Sequence, residues 1–403
     1  MRERIVVTGM GAVTPVGIGI DNYWENLVSG KSGISRIEAF NPDEMPVQIA
    51  AEIKNFKAEE YMDKKLVRNT DRFSQFAYIA ANEALKNGLP VSAERMGIVL
   101  GTAMSGISPT AETQEKLTLS EKKMVEPRFV PRILGNMAAT QISISHGIKG
   151  PSVTVSTACA SGGDAVSAAA RLLLAEEADA VIAVGAESTI CPLVMLSLAS
   201  ARALSRENKT PKEACRPFDE GHNGFVMGEG GGALILMREK DAVSRGLKIY
   251  AELAGWANTA DAYHMTAPSP NGEGAGRCMS EALKKANMTP EEIGYINAHG
   301  TATKEGDKDE ACAVGRIFKG HLPFIGSTKG ATGHMMGAGG LTEAIASILA
   351  INTGMLPPTL NLKNPAYNLP FVKETAVKAD INAAMSNAFG FGGQNSSLIF
   401  KKY

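Results

Sequence analysis

The chain has 403 residues, a length that can bury a large core and that predicts two domains or two fused halves. Apolar residues make up 44% and charged residues 21%, with a formal net charge of -1, which excludes a disordered chain and a nucleic-acid-binding tail. Five widely spaced cysteines without a CxxC pair indicate free thiols in a reducing compartment. Because the N-terminus lacks a signal-peptide pattern and no apolar run is long enough to span a membrane, we expect a cytoplasmic protein without membrane insertion.

The predicted elements alternate between strands and helices. A first buried strand over residues 5–8 is closed by a glycine-rich stretch over residues 9–19. This stretch superficially suggests dinucleotide binding, but Pro15 breaks the expected helix and no strand with a terminal acidic residue follows at the right distance. The next predicted elements are helices over residues 21–29 and 71–87 and short buried parallel strands over residues 98–101 and 180–185. The alternation indicates an α/β layered fold.

The stretch VTVSTACASGGDAVSAAA, residues 153–170, predicts a strand, a sharp turn and a helix, with Cys159 at the turn. Amide N–H groups at a helix start favour a thiolate over a thiol and prepare an oxyanion site for acyl chemistry. An isolated cysteine among small residues is, however, more often a small buried hydrophobic residue. Taken alone, this stretch therefore favours a structural cysteine.

A comparison of the chain with itself shows a weak internal repeat. Ser156-Thr157 opens the cysteine segment, and Ser327-Thr328 opens STKGATGHMMGAGGLTEAIASILA, with the same order of strand, Ser-Thr pair, small-residue turn and alanine-rich helix. The repeat predicts two related halves, each supplying one corner to a shared site. We place the seam near residues 246–250, between an N-terminal half, 1–248, with the nucleophile and a C-terminal half, 249–403, with the histidines. Because no low-complexity linker marks the seam, the halves should pack tightly.

Two glycine-flanked histidines in the second half, His299 in INAHGTAT and His334 in STKGATGHMMGAGG, each follow a run typical of a buried strand. A lone histidine is more often structural, but two in matched contexts favour chemistry, and Lys329 and Glu310 add a charged pair. A cysteine with two imidazoles, without the ligand spacings of a zinc site, a phosphate loop or a cofactor motif, fits acyl transfer through a thioester. Two neutral imidazoles can also stabilise an enolate formed by decarboxylation.

The chain resembles the β-ketoacyl-[acyl carrier protein] synthases, the condensing enzymes of type II fatty acid synthesis, most closely the synthase II type. The resemblance covers essentially the whole chain through six ordered motifs: VVTGMGAVTPVG, STACASG, GFVMGEGGGAL, INAHGTATKEGDKDE, STKGATGH and NAFGFGGQNSSLIF. It implies a thiolase-like fold with two duplicated halves in αβαβα layers. It also implies decarboxylative Claisen condensation of acyl- and malonyl-[acyl carrier protein] to 3-oxoacyl-[acyl carrier protein] and CO2, by a homodimer that has acyl carrier protein as its partner and needs no cofactor besides the carrier's phosphopantetheine.

The resemblance assigns a role to each catalytic residue. Cys159 accepts the acyl chain, and His299 and His334 promote decarboxylation of the malonyl group and stabilise the resulting carbanion. Lys329 positions His334 electrostatically, while Glu310 holds Lys329 or its neighbourhood.

The resemblance also implies an oxyanion hole, a gate and a pocket. The amides of Cys159 and Phe391 form the oxyanion hole, and Phe391, in GFGG, is the gate that moves to admit the acyl chain. Met104 and Leu198 line the acyl pocket; both are smaller or more flexible than the residues often found there, which implies room for medium to long chains. Asp261 belongs to a loop beside the malonyl site, although helix capping explains it about as well.

Two further sets of residues match the family. A structural monovalent cation, Na+ or K+, is implied at Asn297, Glu343, Ser386 and Asn387, for which plain hydrogen bonding is the alternative; no catalytic metal is implied. A basic patch for the acidic carrier protein is implied at Lys64, Lys65, Arg68, Arg128 and Arg202, for which ordinary solvated side chains are the alternative.

The chain departs from the family at Gln394, where threonine is common, and at His222, where arginine is usual. Neither departure removes a catalytic group. A ketosynthase of a type II polyketide-like pathway shares every catalytic residue and is the main alternative. A non-catalytic chain-length factor is a second, against which the cysteine and both histidines argue, and a thiolase or simple acyltransferase is a third.

Overall fold

The computed structural model describes residues 3–121 and 124–403. The strands are β1 Ile5–Thr14, β2 Gly17–Ile18, β3 Ile34–Arg36, β4 Ile49–Ala51, β5 Met96–Gly101, β6 Ser152–Val155, β7 Ala180–Glu187, β8 Gly230–Arg238, β9 Ala251–Ala260, β10 Tyr295–Asn297, β11 Phe324–Gly326, β12 Met355–Leu356, β13 Val377–Lys378, β14 Ala383–Gly390 and β15 Gln394–Lys401. The helices are α1 Ile20–Val28, α2 Lys64–Asn69, α3 Arg72–Ala84, α4 Ile107–Leu119, α5 Phe129–Ile133, α6 Met137–His146, α7 Ser161–Leu174, α8 Pro192–Ser200, α9 Glu239–Ser244, α10 Glu273–Ala286, α11 Lys304–Ile317, α12 Lys329–Thr332 and α13 Gly339–Thr353.

One large mixed sheet joins the two halves of the chain, in the order β11-β10-β14-β15-β9-β1-β8-β7-β5-β6. Read outward from the centre, each half has two antiparallel pairings followed by two parallel ones. The halves meet where β1 pairs with β9, with Ile5 opposite Leu253 and Val7 opposite Ala251. The matching order and directions confirm the two duplicated halves, while the division between residues 248 and 249 stays a prediction.

The helices form three layers around the two half-sheets. In the middle, α7 packs on β5 and β7, α13 packs on β10 and β14, and the two helices contact each other. On the outside, α3 covers β1 and β8, and α10 covers β9 and β15. This arrangement confirms the αβαβα layering that the resemblance implies.

The central helices approach each other closely because small residues face the contact. A Cβ on Gly162 would lie 2.7 Å from the backbone nitrogen of Leu341, and a Cβ on Gly340 would lie 2.9 Å from that of Gly163. Every residue of α13 from Gly339 to Ile351 is buried. The alanine- and glycine-rich sequence of both helices therefore suits a layer enclosed on both sides.

The glycine-rich stretch after the first strand does not end it, so the predicted boundary at residue 8 is wrong. Strand β1 continues to Thr14. A Cβ on Gly11 would lie 2.0 Å from the carbonyl oxygen of Ala80 in α3, and a Cβ on Gly9 would lie 2.6 Å from that of Ala84. These glycines let a helix lie directly on the strand, a close approach that sequence reading mistook for a turn.

The structure gives the burial of each cysteine and the length of each helix. The free thiols comprise four buried residues and one exposed residue: Cys159, Cys191, Cys215 and Cys278, and Cys312. Among the helices in the described part of the chain, none is both long and apolar enough to cross a membrane.

Candidate active site

Cys159 lies at a corner between strand β6 and helix α7, as the sequence predicts. A single 3-10 turn, Ala158–Ala160, makes the corner, and Ala158 adopts a left-handed φ of 52°. The Ser161 hydroxyl accepts the Thr157 N–H at 2.9 Å and donates to the Ala158 carbonyl at 2.6 Å, which fixes the turn. The thiol is 5% exposed.

His334 approaches the thiol from the matching corner of the second half, between α12 and α13. Its Nε2 lies 3.0 Å from Cys159 Sγ. Its backbone N–H donates to the Val226 carbonyl at 2.7 Å, and the ring of Phe225 meets the imidazole edge-on, with centroids 5.1 Å apart. The duplicated corners therefore meet at one nucleophile–base pair, a contact that sequence spacing alone does not show.

His299 completes the cluster from the turn after β10. Its ring centroid lies 5.3 Å from that of His334 at an interplanar angle of 83°, and the ring of Phe389 flanks it at 5.8 Å. Side-chain donor atoms of Cys159, His299 and His334 all lie within 4.8 Å of one another. The structure thus brings together the three residues that sequence analysis selected.

The burial of this cluster decides its protonation. Burial raises the pKa of the Cys159 thiol to about 12, against the opposing effects of Lys329 and of the N–H groups of Phe391 and Cys159. Burial, with a further contribution from Lys329, lowers the pKa of both His299 and His334 well below its ordinary value. The resting site therefore holds a neutral thiol and two neutral imidazoles. The expectation that the helix start and nearby donors favour a thiolate is wrong for the resting site, because desolvation outweighs them.

Lys329 pairs directly with a carboxylate other than Glu310, so Glu310 acts in the neighbourhood of the lysine, the second of the two predicted roles. Its Nζ pairs with Glu343, and both side chains are buried. Glu310 instead accepts the N–H groups of His299 and Gly300 at 2.9 and 2.8 Å, and burial raises its pKa to about 7. Glu310 therefore fixes the turn that carries His299, whereas Glu343 on α13 holds the lysine.

Phe391 lies in the turn between β14 and β15, directly against the nucleophile. Its N–H faces Cys159 Sγ, and its side chain is 39% exposed. A Cβ on Gly390 would lie 3.0 Å from the Cys159 nitrogen, so only glycine allows the turn to come this close. Gly392 and Gly393 have φ values of 83° and 68°, a left-handed conformation that glycine adopts readily.

Asp261 ties down the far side of this turn. Its carboxylate accepts the Asn395 side-chain amide at 2.6 Å and the Ser269 N–H at 2.8 Å, and its own N–H donates to the Gly393 carbonyl at 2.8 Å. The residue sits just after β9 rather than capping a helix, so a plain capping role does not describe it.

The predicted pocket residues share an apolar cluster with the nucleophile. Met104 is half-buried and Leu198 is buried. The cluster also contains these residues: Ile107, Ile190, Cys191, Val194, Met195, Phe225 and Met336. Their side chains are aliphatic, thioether or aromatic, apart from the small buried thiol of Cys191, which suits a hydrocarbon chain attached to Cys159.

Glu187, at the end of β7, is a buried acidic residue that sequence analysis missed. Its carboxylate accepts the N–H groups of Ala103, Met104 and Gly337 at 2.6, 3.1 and 3.2 Å, and the Thr102 hydroxyl at 3.3 Å. Burial raises its pKa to about 7. Glu187 thus joins the pocket loop to the segment after His334. The sequence does contain a signal that could have identified Glu187: it is an acidic residue at the end of an otherwise apolar strand.

The proposed basic patch is exposed. Lys64, Lys65 and Arg68 lie on α2, and Arg128, just before α5, donates to the Asn69 side chain at 3.4 Å across the gap between the two helices. Arg202 is also exposed and follows the end of α8.

The four residues of the expected cation site lie near Lys329, and their chemistry fits a monovalent cation. Within residues 3–121 and 124–403, the buried Oδ1 of Asn297 and Oε2 of Glu343 have no hydrogen-bond partner. Ser386 pairs in register with Asn297, and Asn387 Oδ1 accepts the Ser397 hydroxyl at 2.8 Å. Oxygen atoms of this kind are the ligands that hard cations prefer.

Comparisons with known proteins agree with this geometry. Residues 2–242 match the sequence model of the β-ketoacyl synthase N-terminal domain, and residues 250–363 match that of the C-terminal domain. The 3-oxoacyl-[acyl-carrier-protein] synthase 2 of Synechocystis sp. is 41% identical, with 100% of this chain and 99% of that protein covered. The chain therefore belongs to the β-ketoacyl synthase family.

Solved structures of the same fold cover the chain completely. A β-ketoacyl synthase from Burkholderia phymatum superposes with a TM-score of 0.92 at 32% identity, covering 100% of both chains. The AntDE:AntF complex, a type II PKS acyl-carrier protein with its ketosynthase bound to the hexaketide, gives a TM-score of 0.90 at 30% identity, again over 100% of both chains.

Proposed function

We propose that the chain condenses an acyl group held on Cys159 with a malonyl group, both delivered by acyl carrier protein, and so elongates chains in type II fatty acid synthesis. The observation that carries the proposal is the contact of Cys159 Sγ with His334 Nε2 at 3.0 Å, with His299 in the same cluster. Similarity to curated 3-oxoacyl-[acyl-carrier-protein] synthase 2 proteins over the whole chain supports the reaction type.

The first half-reaction loads the nucleophile. His334 Nε2 takes the proton from Cys159 Sγ as sulfur attacks the thioester carbonyl, because the buried thiol does not ionise by itself. The N–H groups of Cys159 and Phe391, which already face the sulfur, stabilise the tetrahedral oxyanion. The proton then passes to the departing phosphopantetheine thiol.

The second half-reaction uses both imidazoles as donors. In their Nε2–H tautomers, neutral His299 and His334 donate to the malonyl thioester oxygen, so the enolate that forms as CO2 leaves is stabilised without a formal cation on either ring. The enolate carbon attacks the acyl-cysteine carbonyl, and the C–S bond to Cys159 breaks. The released thiolate takes the Nε2 proton of His334 while Nδ1 of the same ring takes one from solvent, which returns His334 to the tautomer whose Nε2 accepts a proton. The buried ion pair between Lys329 and Glu343 holds one positive and one negative charge in fixed positions during these steps.

The reaction is tested with purified enzyme, malonyl-[acyl carrier protein] and saturated acyl-[acyl carrier protein] substrates of graded length. We expect 3-oxoacyl products and one CO2 per product. Failure to elongate any saturated primer would remove the fatty acid assignment. Product formation without CO2 release would point instead to a thiolase-like or simple acyl transfer.

A ketosynthase of a type II polyketide-like pathway is the second candidate. The observation that favours it is the similarity, at 30% identity, to the AntDE:AntF complex, in which the ketosynthase is bound to the hexaketide. Offering the enzyme a 3-oxoacyl primer beside a saturated primer of equal length separates the candidates, since a fatty acid enzyme should turn over the saturated primer faster.

We further propose that the basic patch on α2 and before α5 docks acyl carrier protein. Lys64, Lys65 and Arg68 are exposed on one short helix, and carrier-type partners are acidic. Reversing Lys64 and Lys65 to glutamate should raise KM for acyl carrier protein with kcat little changed. The matched change Lys319→Glu, at an exposed lysine before β11, should leave KM unchanged.

Two structural features are proposed along with this activity. A Na+ or K+ ion held by Asn297, Glu343, Ser386 and Asn387 would satisfy the unpaired oxygens of the first two. A homodimer would cover two exposed apolar features. One is strand β6, the last strand at one end of the sheet, where Val153 is 42% exposed, and the other is the pair Leu193 and Leu196 on α8. The free thiols suit the reducing cytoplasm.

A further inference from the structure

The cluster at the nucleophile has the composition of a metal-binding site as well as that of a catalytic site. One thiol and two imidazoles place their donor atoms within 4.8 Å of one another, all buried. Sulfur and imidazole nitrogen are the donors that Zn2+ selects, and three protein ligands with an open fourth position are typical of accessible zinc sites. The sequence separation of these residues hides this arrangement.

The separations of the donor atoms are close to those that zinc requires. With Zn–S near 2.3 Å and Zn–N near 2.0 Å, tetrahedral geometry places sulfur about 3.6 Å from nitrogen and the two nitrogens about 3.3 Å apart. Cys159 Sγ and His334 Nε2 are now 3.0 Å apart, and no separation in the cluster exceeds 4.8 Å. Side-chain rotations that move donor atoms by roughly 1 Å would complete the geometry.

Imidazole binds a metal as the neutral ring, through a nitrogen lone pair. The thiol must lose its proton: a Zn–S bond forms as the S–H bond breaks, and the proton leaves to solvent without any oxidation or reduction. The buried ammonium of Lys329 opposes a second cation, but Glu343 pairs with it. The Nδ1 atoms of both histidines lack partners in the described residues. This missing outer support makes the site weaker than a structural zinc site.

We propose that Cys159, His299 and His334 together bind Zn2+, or another thiophilic divalent cation, as a reversible block of the condensing site. The metal occupies the sulfur lone pair that attacks the thioester and the imidazole nitrogens that hold the malonyl oxygen. Binding of metal and loading of the acyl chain are therefore mutually exclusive. The enzyme is inhibited by free zinc and protected from it once the cysteine is acylated.

Co2+ tests the site directly, because a thiolate ligand gives cobalt a charge-transfer band and tetrahedral coordination gives it strong visible bands. We expect one Co2+ per chain with both features, displaced by one equivalent of Zn2+. Cys159→Ser should remove the charge-transfer band, and His299→Ala should weaken binding at least about tenfold. The control Cys312→Ser, at the exposed cysteine on α11, should bind as the wild type does.

A second measurement does not depend on cobalt or on condensing activity. Iodoacetamide labelling of Cys159, followed by intact mass, should slow at least about tenfold in stoichiometric Zn2+ and recover with EDTA. Unchanged labelling, or cobalt bands that persist in Cys159→Ser and vanish in Cys312→Ser, would overturn the proposal and assign the metal to the surface thiol. A protein that condenses substrates but shows no metal spectrum would overturn this inference while leaving the proposed function in place.

Discussion

The residue on which the chemistry depends is a thiol that burial keeps neutral. The pKa of Cys159 is raised to about 12, so its reactivity must come from proton transfer to His334 Nε2 at 3.0 Å. His334 can accept that proton because its own ring is neutral. The nucleophile and base therefore act as one unit, and neither is activated by its local turn alone.

Replacement of the nucleophile should separate the two half-reactions. Cys159→Ala should abolish acyl loading, measured by intact mass, because no other group in the cluster forms a thioester. Cys159→Gln imitates an acylated cysteine in shape, so it should retain decarboxylation of malonyl-[acyl carrier protein], measured as CO2 release. An acyl adduct on Cys159→Ala would show that the nucleophile is misassigned, and loss of CO2 release in a folded Cys159→Gln would show that the steps are not separable.

The neutral imidazoles should make the fold acid-sensitive. The pKa of His299 is lowered well below 6.5 in the folded protein. The unfolded chain therefore binds more protons below pH 6.5, and stability is lost as pH falls below that value. Each such imidazole contributes about 1.4 kcal/mol per pH unit. His299→Phe, which cannot titrate, should flatten the fall in the free energy of unfolding between pH 6.5 and 5, measured by urea titration. An identical slope in both proteins would contradict this.

At the scale of elements, sequence reading found the corners but not all of their supports. Cys159 and His334 were predictable because each follows a strand and precedes a small-residue helix. The direct partner of Lys329 was not, because Glu343 lies inside an otherwise uncharged helix, α13, and no local pattern shows which way its side chain points. Glu187 was missed because its role is to accept N–H groups from two separate segments, which no local pattern records.

The strand β1 was also misread, and its glycines give a direct test. Gly11→Ala should destabilise the protein by about 1–3 kcal/mol or more, because the new Cβ would lie 2.0 Å from the carbonyl oxygen of Ala80. Gly315→Ala, on helix α11 with no atom within 4 Å of the new Cβ, is the matched control and should stabilise by roughly 0.5–1 kcal/mol. Denaturant unfolding measures both; equal effects would show that α3 moves aside freely.

At the scale of the whole molecule, the exposed end of the sheet predicts the assembly. Strand β6 leads directly to the nucleophile, and within residues 3–121 and 124–403 no strand pairs with its outer edge. Pairing of two copies through β6 about a two-fold axis would bury that edge and place the two nucleophile corners on either side of one interface.

A charge on this edge tests the proposed dimer. Val153→Lys places an ammonium where the second copy would pack, so light scattering should show a shift from dimer to monomer. Val243→Lys on α9, at a residue that is 57% exposed, introduces the same charge away from the edge and should leave the mass unchanged. If Val153→Lys keeps the wild-type mass, the interface lies elsewhere.

The central position of β1 has a consequence for how the chain folds as it is synthesised. This strand is translated long before the two long strands that flank it in the sheet, because β8 and β9 begin only at Gly230 and Ala251. Helix α3 can cover one face of β1 early, but the pairing of β1 with β8 and β9 must wait until more than half of the given sequence has been made. Such distant pairing slows folding and leaves an aggregation-prone strand unpaired in the meantime. Nascent chains of this protein should therefore depend on chaperones until β9 has been translated.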